Sequence, residues 1–444
     1  MKNLVILGGR IVDPSQEIDQ VGDLVIKEGK VGFLGRATLN EDYPRIHAGG
    51  MVVTPGFIDL HSHLREPGFE EEETIASGAE AAIRGGFTTI CCMPNTNPPI
   101  DNPGMVEYVK QRARECNKAR VFPIGCITQG QGGERIVEMV SLARAGVVAF
   151  SDDGRPVRSS EVMRHALEYS LLTSLPLIDH CEDIELTHGT AMNEGRMAKI
   201  LGLEGAPAEA EEIMVFRDIA LAKLTGGRIH IAHVSTQGTL KLVQRAKEEG
   251  IDITCEVTPH HLLLTEDKIA DYNTKAKINP PLRTEKDREK LVEGLKQGII
   301  DAIATDHSPR SYEEKACEFD LAFFGISGLE TALPSLLKLT EEEVELKTLI
   351  EKLTMGPASI LKGGKKPPLF LPSPLPPGMG MLKVGAPADV TVFDPQKEWV
   401  VNPAEFSSKG KNTPWEGETV KGKVMLTVVG GEIAYIDPSL EVEG

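Results

Sequence analysis

The chain has 444 residues, 41% of them hydrophobic and 26% charged, with a formal net charge of −18 at pH 7. This is the composition of a folded soluble protein with room for one large domain and a smaller one. The acidic balance excludes a nucleic-acid or anionic-membrane surface as its main interface, and no run approaches the ~20 consecutive apolar residues of a spanning helix.

The first ~50 residues alternate in the manner of short strands between Gly turns, at Leu4 to Leu7, Asp23 to Lys27 and Val31 to Leu34. Met1 to Gly9 lacks the long apolar run and cleavage site of a secretory leader, so a cytoplasmic protein is expected. From Val52 onward short apolar runs alternate with helical stretches, the pattern of parallel β/α units. Eight runs can be read: Thr54–Leu64, Thr88–Pro94, Val121–Thr128, Val147–Ser151, Leu177–Cys181, Ile229–Ser235, Ile253–Thr258 and Ala302–Thr305. Between and after them lie helices expected at Ile75–Arg84, Ile136–Ala145, Ala208–Leu224, Leu240–Glu248, Asp287–Lys296 and Leu329–Leu339. Gly85, Gly146, Gly226, Gly250 and Gly298 mark helix ends. Eight such repeats predict an α/β protein with a closed (β/α)8 TIM barrel. A Pro-rich stretch at 365–380 reads as an extended loop. Strand-like runs return at Ala388–Phe393, Trp399–Val401 and Val424–Val429, and are expected to join the first strands in a small β-domain formed by both termini. The predicted organisation is therefore 1–54 and 381–444 for the β-domain, 55–364 for the barrel and 365–380 for the loop.

The chemistry gathers at the strand ends. His61-Ser62-His63 closes the first run, and residues i and i+2 of a strand face the same way, so both imidazoles can reach one ion while Ser62 turns outward. A lone H-x-H also occurs at ordinary surface or core positions. Here, however, the fourth run ends in Asp152-Asp153, the fifth in His180-Cys181-Glu182, the sixth in His233 and the eighth in Asp306-His307. Imidazole and carboxylate donors converging on the C-terminal rim of a barrel suit zinc or a similar divalent ion.

With those residues in place the chain resembles the amidohydrolase superfamily, and more closely the type I bacterial dihydroorotases. The resemblance rests on Pro55-Gly56-Phe57-Ile58-Asp59-Leu60-His61-Ser62-His63-Leu64-Arg65-Glu66-Pro67-Gly68, Met93-Pro94-Asn95-Thr96, Phe150-Ser151-Asp152-Asp153-Gly154, Lys277-Ile278-Asn279-Pro280-Pro281-Leu282-Arg283, Ala304-Thr305-Asp306-His307, Gly328-Leu329-Glu330-Thr331-Ala332 and Gly385-Ala386-Pro387-Ala388-Asp389. It implies two Zn2+ per subunit: one on His61, His63 and Asp306, the second on His180 and His233, with Asp153 bridging and Asp152 as the alternative bridge. It implies that Asp306 is the catalytic acid and base in the reversible cyclisation of N-carbamoyl-L-aspartate to L-dihydroorotate, a step of pyrimidine biosynthesis. Hydantoinases and allantoinases bridge their metals with a modified Lys at the fourth strand, and no Lys stands in Val148 to Asp153. A catalytically silent scaffold relative would be expected to lose ligands, and all are present.

For the substrate, the resemblance implies contacts from His63, Arg65, Asn95, Asn279, Arg310, Phe324 and Gly325. Arg65 lies two residues past His63, and its guanidinium matches a carboxylate in bidentate geometry. One departure stands out: the family usually reads Asp-His-Ala-Pro-His where this chain has Asp306-His307-Ser308-Pro309-Arg310, so Arg310 takes the place of a histidine contact. Family members form dimers and some associate with aspartate carbamoyltransferase, which the resemblance extends to this chain, though no interface is legible.

The remaining groups draw plainer readings. The seven cysteines form no C-x-x-C pair and read as reduced thiols, with Cys181 a stray zinc ligand only if ionised. His260 and His261 are expected in structural hydrogen bonds, His230, out of phase with His233, on the barrel's outer layer, and His307 as support behind the ligands. Glu70 to Glu73 read as a solvated loop leading into a helix.

Overall fold

A computed structural model describes residues 2–36, 43–342, 344–363 and 375–443. Eight strands follow in chain order: β1 (Phe57–Ser62), β2 (Phe87–Cys92), β3 (Arg120–Pro123), β4 (Phe150–Ser151), β5 (Leu177–Asp179), β6 (Ile229–Ile231), β7 (Ile253–Val257) and β8 (Ala302–Ile303). They form two parallel sheets, β1-β2-β3 and β4-β5-β6-β7-β8. Backbone bonds close the two into a cylinder: Ser151 N donates to Gly125 O (2.8 Å) beside β3, and His63 N to His307 O (2.8 Å) beyond β8. Helices Ile75–Arg84, Pro103–Cys116, Met139–Ala145, Ser160–Ser170, Glu209–Thr225, Gln237–Glu248, Glu285–Lys296 and Ala332–Leu337 follow the strands in turn. The expected TIM barrel is thus present.

Helices Pro103–Cys116 and Ser160–Ser170 were not among the helices read from periodicity. The first buries only Val106 and Val109, too thin an apolar stripe to stand out, and is started instead by Asn102, which accepts from Gly104 N and Met105 N. Inside the barrel, Ile58, Leu60, Cys91, Ile124, Val148, Ile178 and Ala302 pack in one cluster with Ile360, Leu361, Leu375 and Met379. Residues 365–374 of the Pro-rich stretch lie outside the described residues.

Both chain ends build one second sheet, ordered Glu432–Ile436, Thr419–Val429, Val390–Val400, Val52–Pro55, Leu4–Asp13, Ile18–Lys27, Lys30–Gly35. Its alternate residues Leu4, Ile6, Ile11, Val390, Val392, Leu426 and Val428 share a core separate from the barrel's. The sheet hands the chain directly to the barrel: Val52–Pro55 ends two residues before β1 begins.

Candidate active site

The C-terminal ends of β1, β4, β5, β6 and β8 bring His61, His63, Asp153, His180, His233 and Asp306 together. His61 Nε2 lies 3.3 Å from Asp153 Oδ1 and 3.6 Å from Asp306 Oδ1. His63 Nε2 lies 3.1 Å from Asp306 Oδ1 and 3.4 Å from Asp153 Oδ2. His233 Nε2 is 3.5 Å and His180 Nδ1 3.7 Å from Asp153 Oδ1, and these two ring nitrogens are 2.9 Å apart. Ligand atoms of His61, His63 and Asp306 form one group within 4.8 Å, and those of His61, Asp153 and His233 another. Asp153 therefore sits between the histidines. Asp152 turns away to accept from Ile127 N (2.8 Å) and Thr128 N (3.1 Å).

Two atoms at the centre, His61 Nε2 and Asp153 Oδ1, are buried without a hydrogen-bond partner. Leaving a buried polar atom unsatisfied costs roughly 1–3 kcal/mol, more when it is charged, and here the donors of His63, His233 and Asp306 converge on the same point, so a cation bound between them would satisfy the pair. The electrostatics agree. Burial opposes charge on His61, yet Asp153, Glu256 and Asp306 override it and raise the imidazole well above its ordinary range. Burial would likewise raise Asp153 and Asp306, yet the surrounding histidines hold both carboxyls well below theirs. The cluster stabilises positive charge, which a cation supplies as well as protons do. The donor set fits a divalent metal.

The backbone takes unusual forms here. His233 has φ of 31° and Asp306 of 44°, in the left-handed region that non-glycine residues rarely adopt. This turn breaks strand alternation just where the ligands stand, and it overturns the reading of His230 as an outer residue. Ile229 and Ile231 take the outer layer instead. His230 is fully buried, bonded through Nδ1 to Thr254 Oγ1 (2.8 Å), with Nε2 3.2 Å from Glu256 Oε2. Ser62, expected to face outward, donates to Asp59 Oδ2 (2.5 Å), which also accepts from Thr305 Oγ1 (2.6 Å) across the β1–β8 seam.

A cavity of about 160 Å³ opens on the cluster, lined by His63, Arg65, Asn95, Asp153, His180, His233, Asn279, Asp306, Arg310, Phe324 and Gly325 among others. Of the residues expected at the site, His61, fully buried beneath, and the alternative bridge Asp152 are absent from this lining. Asn95 Oδ1 sits 3.0 Å from His63 Nδ1. Asn279 Nδ2 donates to Glu182 Oε2 (3.0 Å), which also meets His180 Nε2 (3.0 Å). Arg65 donates from Nη2 to Ser308 Oγ (2.7 Å), and Arg310 from Nε to Phe324 O (2.9 Å).

Glu72 lies between these guanidiniums: its Oε2 is 3.1 Å from Arg65 Nε and 2.9 Å from Arg310 Nη1. Burial pulls Arg65 down to about 10, and Arg310 adds to the effect. The acidic run is solvated only in its first half: Glu70 and Glu71 are exposed. Glu72 is buried against the two arginines, and Glu73, wholly buried, meets His307 Nε2 (3.2 Å) and accepts from Ser408 Oγ (2.5 Å). His307 Nδ1 accepts from Gly328 N (3.1 Å), which fixes the segment behind the ligands. Sequence reading missed Glu72, Glu73 and Glu256 as parts of the site. The one signal for Glu256 was a carboxylate inside the strand-like run Ile253–Thr258.

Cys181 Sγ points to Asp179 (3.6 Å) and Asp218 (3.5 Å), and burial raises its thiol well above the ordinary range, so it is no thiolate facing the cluster. His261 bonds Thr258 Oγ1 (2.8 Å) and Pro280 O (3.0 Å), as a structural histidine does.

A family model described as Dihydro-orotase-like matches residues 50–239. Over 435 residues the chain is 46% identical to the dihydroorotase of Trichlorobacter lovleyi, covering 98% of this chain and 99% of that one. The chain belongs to the dihydroorotase family. It is also 46% identical over 439 residues to the dihydroorotase of Aquifex aeolicus, covering 98% and 100% of the two chains. Among solved structures it is similar to the L-hydantoinase of Arthrobacter aurescens, with a TM-score of 0.86 at 25% identity, covering 100% of this chain and 98% of the other. A D-hydantoinase structure superposes with a TM-score of 0.84 at 21% identity, covering 99% and 97%; that likeness speaks to the fold alone.

Proposed function

We propose that this chain is a dihydroorotase, a cyclic amidohydrolase that interconverts N-carbamoyl-L-aspartate and L-dihydroorotate in pyrimidine biosynthesis. The observation that carries the reading is the convergence of His61, His63, Asp153, His233 and Asp306 donor atoms beneath a cavity edged by two guanidiniums. The first fits a divalent cation and the second a carboxylated substrate.

Two Zn2+ would be held by His61, His63 and Asp306 and by His180 and His233, with Asp153 between them. Bound there, such ions bring the acidity of water near neutrality and polarise a carbonyl oxygen. The chain's own residues do the rest. Asp306, kept ionised by its histidine neighbours, accepts a proton from the attacking water as the new C–O bond forms at the ring amide carbon. It returns that proton to the ring nitrogen as the C–N bond breaks. In the biosynthetic direction the same proton path runs backwards: the carbamoyl nitrogen closes on the side-chain carboxyl and water leaves.

Arg65, Asn95 and Arg310 hold the carboxylate that is not reacting, and Asn279 and the backbone at Phe324 and Gly325 face the ring amides. The absence of Lys from Val148–Asp153 separates this chain from the Lys-bridged hydantoinases that share its fold.

Dihydroorotate hydrolysis before and after chelation, with zinc added back, tests the reading. Activity should vanish and return; a rate indifferent to the chelator would sink it. Parallel turnover of hydantoin and allantoin should be negligible. The reading extends to a cytoplasmic homodimer that associates with aspartate carbamoyltransferase, to be checked by sedimentation with and without that enzyme. No described helix is long and apolar enough to cross a membrane.

A further inference from the structure

Glu256 lies on β7, below the cluster and fully buried in the barrel. Its Oε1 is 2.8 Å from His61 Nδ1, its Oε2 is 3.2 Å from His230 Nε2, and His230 Nδ1 is 2.8 Å from Thr254 Oγ1 on the same strand as Glu256. A line of polar groups thus runs from the donor cluster into the barrel interior, linking the end of β1 to β6 and β7.

A neutral imidazole has one N–H and one lone pair, and the partner of one nitrogen decides the role of the other. A carboxylate at 2.8 Å from Nδ1 takes the proton there. The lone pair of His61 then sits on Nε2, facing Asp153 Oδ1 at 3.3 Å and Asp306 Oδ1 at 3.6 Å. A lone pair opposite two carboxylates is repelled unless a cation lies between. His61 also belongs to both groups of converging donors, the one with His63 and Asp306 and the one with Asp153 and His233. Fixing this one ring therefore prepares both halves of the cluster.

We propose that Glu256 is a positioning residue: it holds His61 through Nδ1–H, so that Nε2 is the ring nitrogen that turns to the metal. The proposal rests on the metal-site reading above. It adds a residue on a strand that supplies no ligand, and it assigns His230 and Thr254 to bracing that carboxylate.

The test compares Glu256→Leu, which removes the acceptor, with Glu256→Gln, whose amide oxygen can still accept from Nδ1. Zinc affinity is read by competition with a chromophoric chelator, and thermal unfolding is followed on the chelated proteins. The Leu variant should bind zinc ~10–100-fold more weakly, the usual effect of losing such a support. The chelated Leu variant should unfold somewhat earlier than the parent, since two buried imidazoles lose their acceptor, and the Gln variant should recover most of the zinc affinity. Equal zinc affinity in the parent and the Leu variant would overturn the proposal, as would Gln and Leu variants weakened alike.

A measurement on the unmutated, chelated protein covers the case in which the Leu variant does not fold. Long-range ¹H–¹⁵N correlation of labelled histidine, read at a pH high enough for the ring to be neutral, should show His61 with its remaining proton on Nδ1; a neutral ring protonated on Nε2 would refute the assignment. Failure of the parent to bind zinc at all would instead strike the metal-site reading, while the proton position would still be read without metal.

Discussion

The groups at the barrel mouth come from two kinds of place and are held in two ways. His61, His63, Asp153, His180, His233 and Asp306 stand where strands stop, and the middle of that set keeps buried atoms without partners. Arg65, Glu72 and Arg310 stand on connecting segments, and their charges already answer one another, with Glu72 between the two arginines. The difference teaches what each half does on binding. The strand-end set turns imidazole and carboxylate donors on one point, so it gains from an added cation. In the loop set Glu72 already neutralises the two guanidiniums, so an incoming carboxylate must compete with it, exchanging one anion for another at a modest net gain. Affinity for the organic substrate should therefore be tuned on the loops, while the chemistry is tuned on the strands.

That division can be broken by mutation. The largest effect is expected from Asp306→Asn, which should lower kcat by roughly 10²–10⁴-fold, the span of general acid–base catalysis, with an unchanged far-ultraviolet dichroism spectrum. A small loss would mean that the proton moves by another route. Arg310→Ala should raise KM by about 10–100-fold with zinc content intact, since a hydrogen bond to a charged group is worth about 1.5–3 kcal/mol; steady-state kinetics beside metal analysis decides, and unaltered KM would show that Arg310 is spent on Glu72 alone.

Asn95 touches both halves through His63 Nδ1 at 3.0 Å and the cavity. Asn95→Ala should weaken zinc binding and raise KM together, each by about tenfold, as for the loss of a group that orients a ligand. A change in only one of them would assign it to that half.

The smallest effect lies away from both. Burial raises the Glu330 carboxyl from 4.5 to about 7, while it accepts from Ser407 N and Ser408 N. The folded protein holds this proton more tightly than the unfolded chain does, so the stability it contributes is full below pH 4.5 and lost as pH rises through about 7. Glu330→Gln should therefore melt a few degrees above the parent at pH 8 and level with it at pH 4.5. A gap that does not depend on pH would refute the shift.

The sequence displayed the strand-end set well, because each ligand is announced locally by an apolar run that stops at a polar pair. The eight runs and the barrel followed from the same alternation. The loop set was half visible: Arg65 and Arg310 could be named, but Glu72 read as solvent-facing because its partner Arg310 is 238 residues away. His230 was misplaced for a different reason. Counting by twos along β6 assumes regular strand geometry, and the positive φ of His233 ends that geometry before the ligand is reached. Glu256 was hidden because burial of a carboxylate makes sense only once His61 and His230 are known to meet it.

The second sheet has a consequence for how the protein is made. Val52–Pro55 pairs on one side with Leu4–Asp13 and on the other with Val390–Val400, which in turn pairs with Thr419–Val429. On a ribosome adding ~5–20 residues per second, the early strands wait on the order of tens of seconds for their late neighbours. Meanwhile an apolar edge stays open on an otherwise complete cylinder, and open edges recruit other chains. A nascent polypeptide stalled before residue 390 is for this reason the species on which chaperones should act.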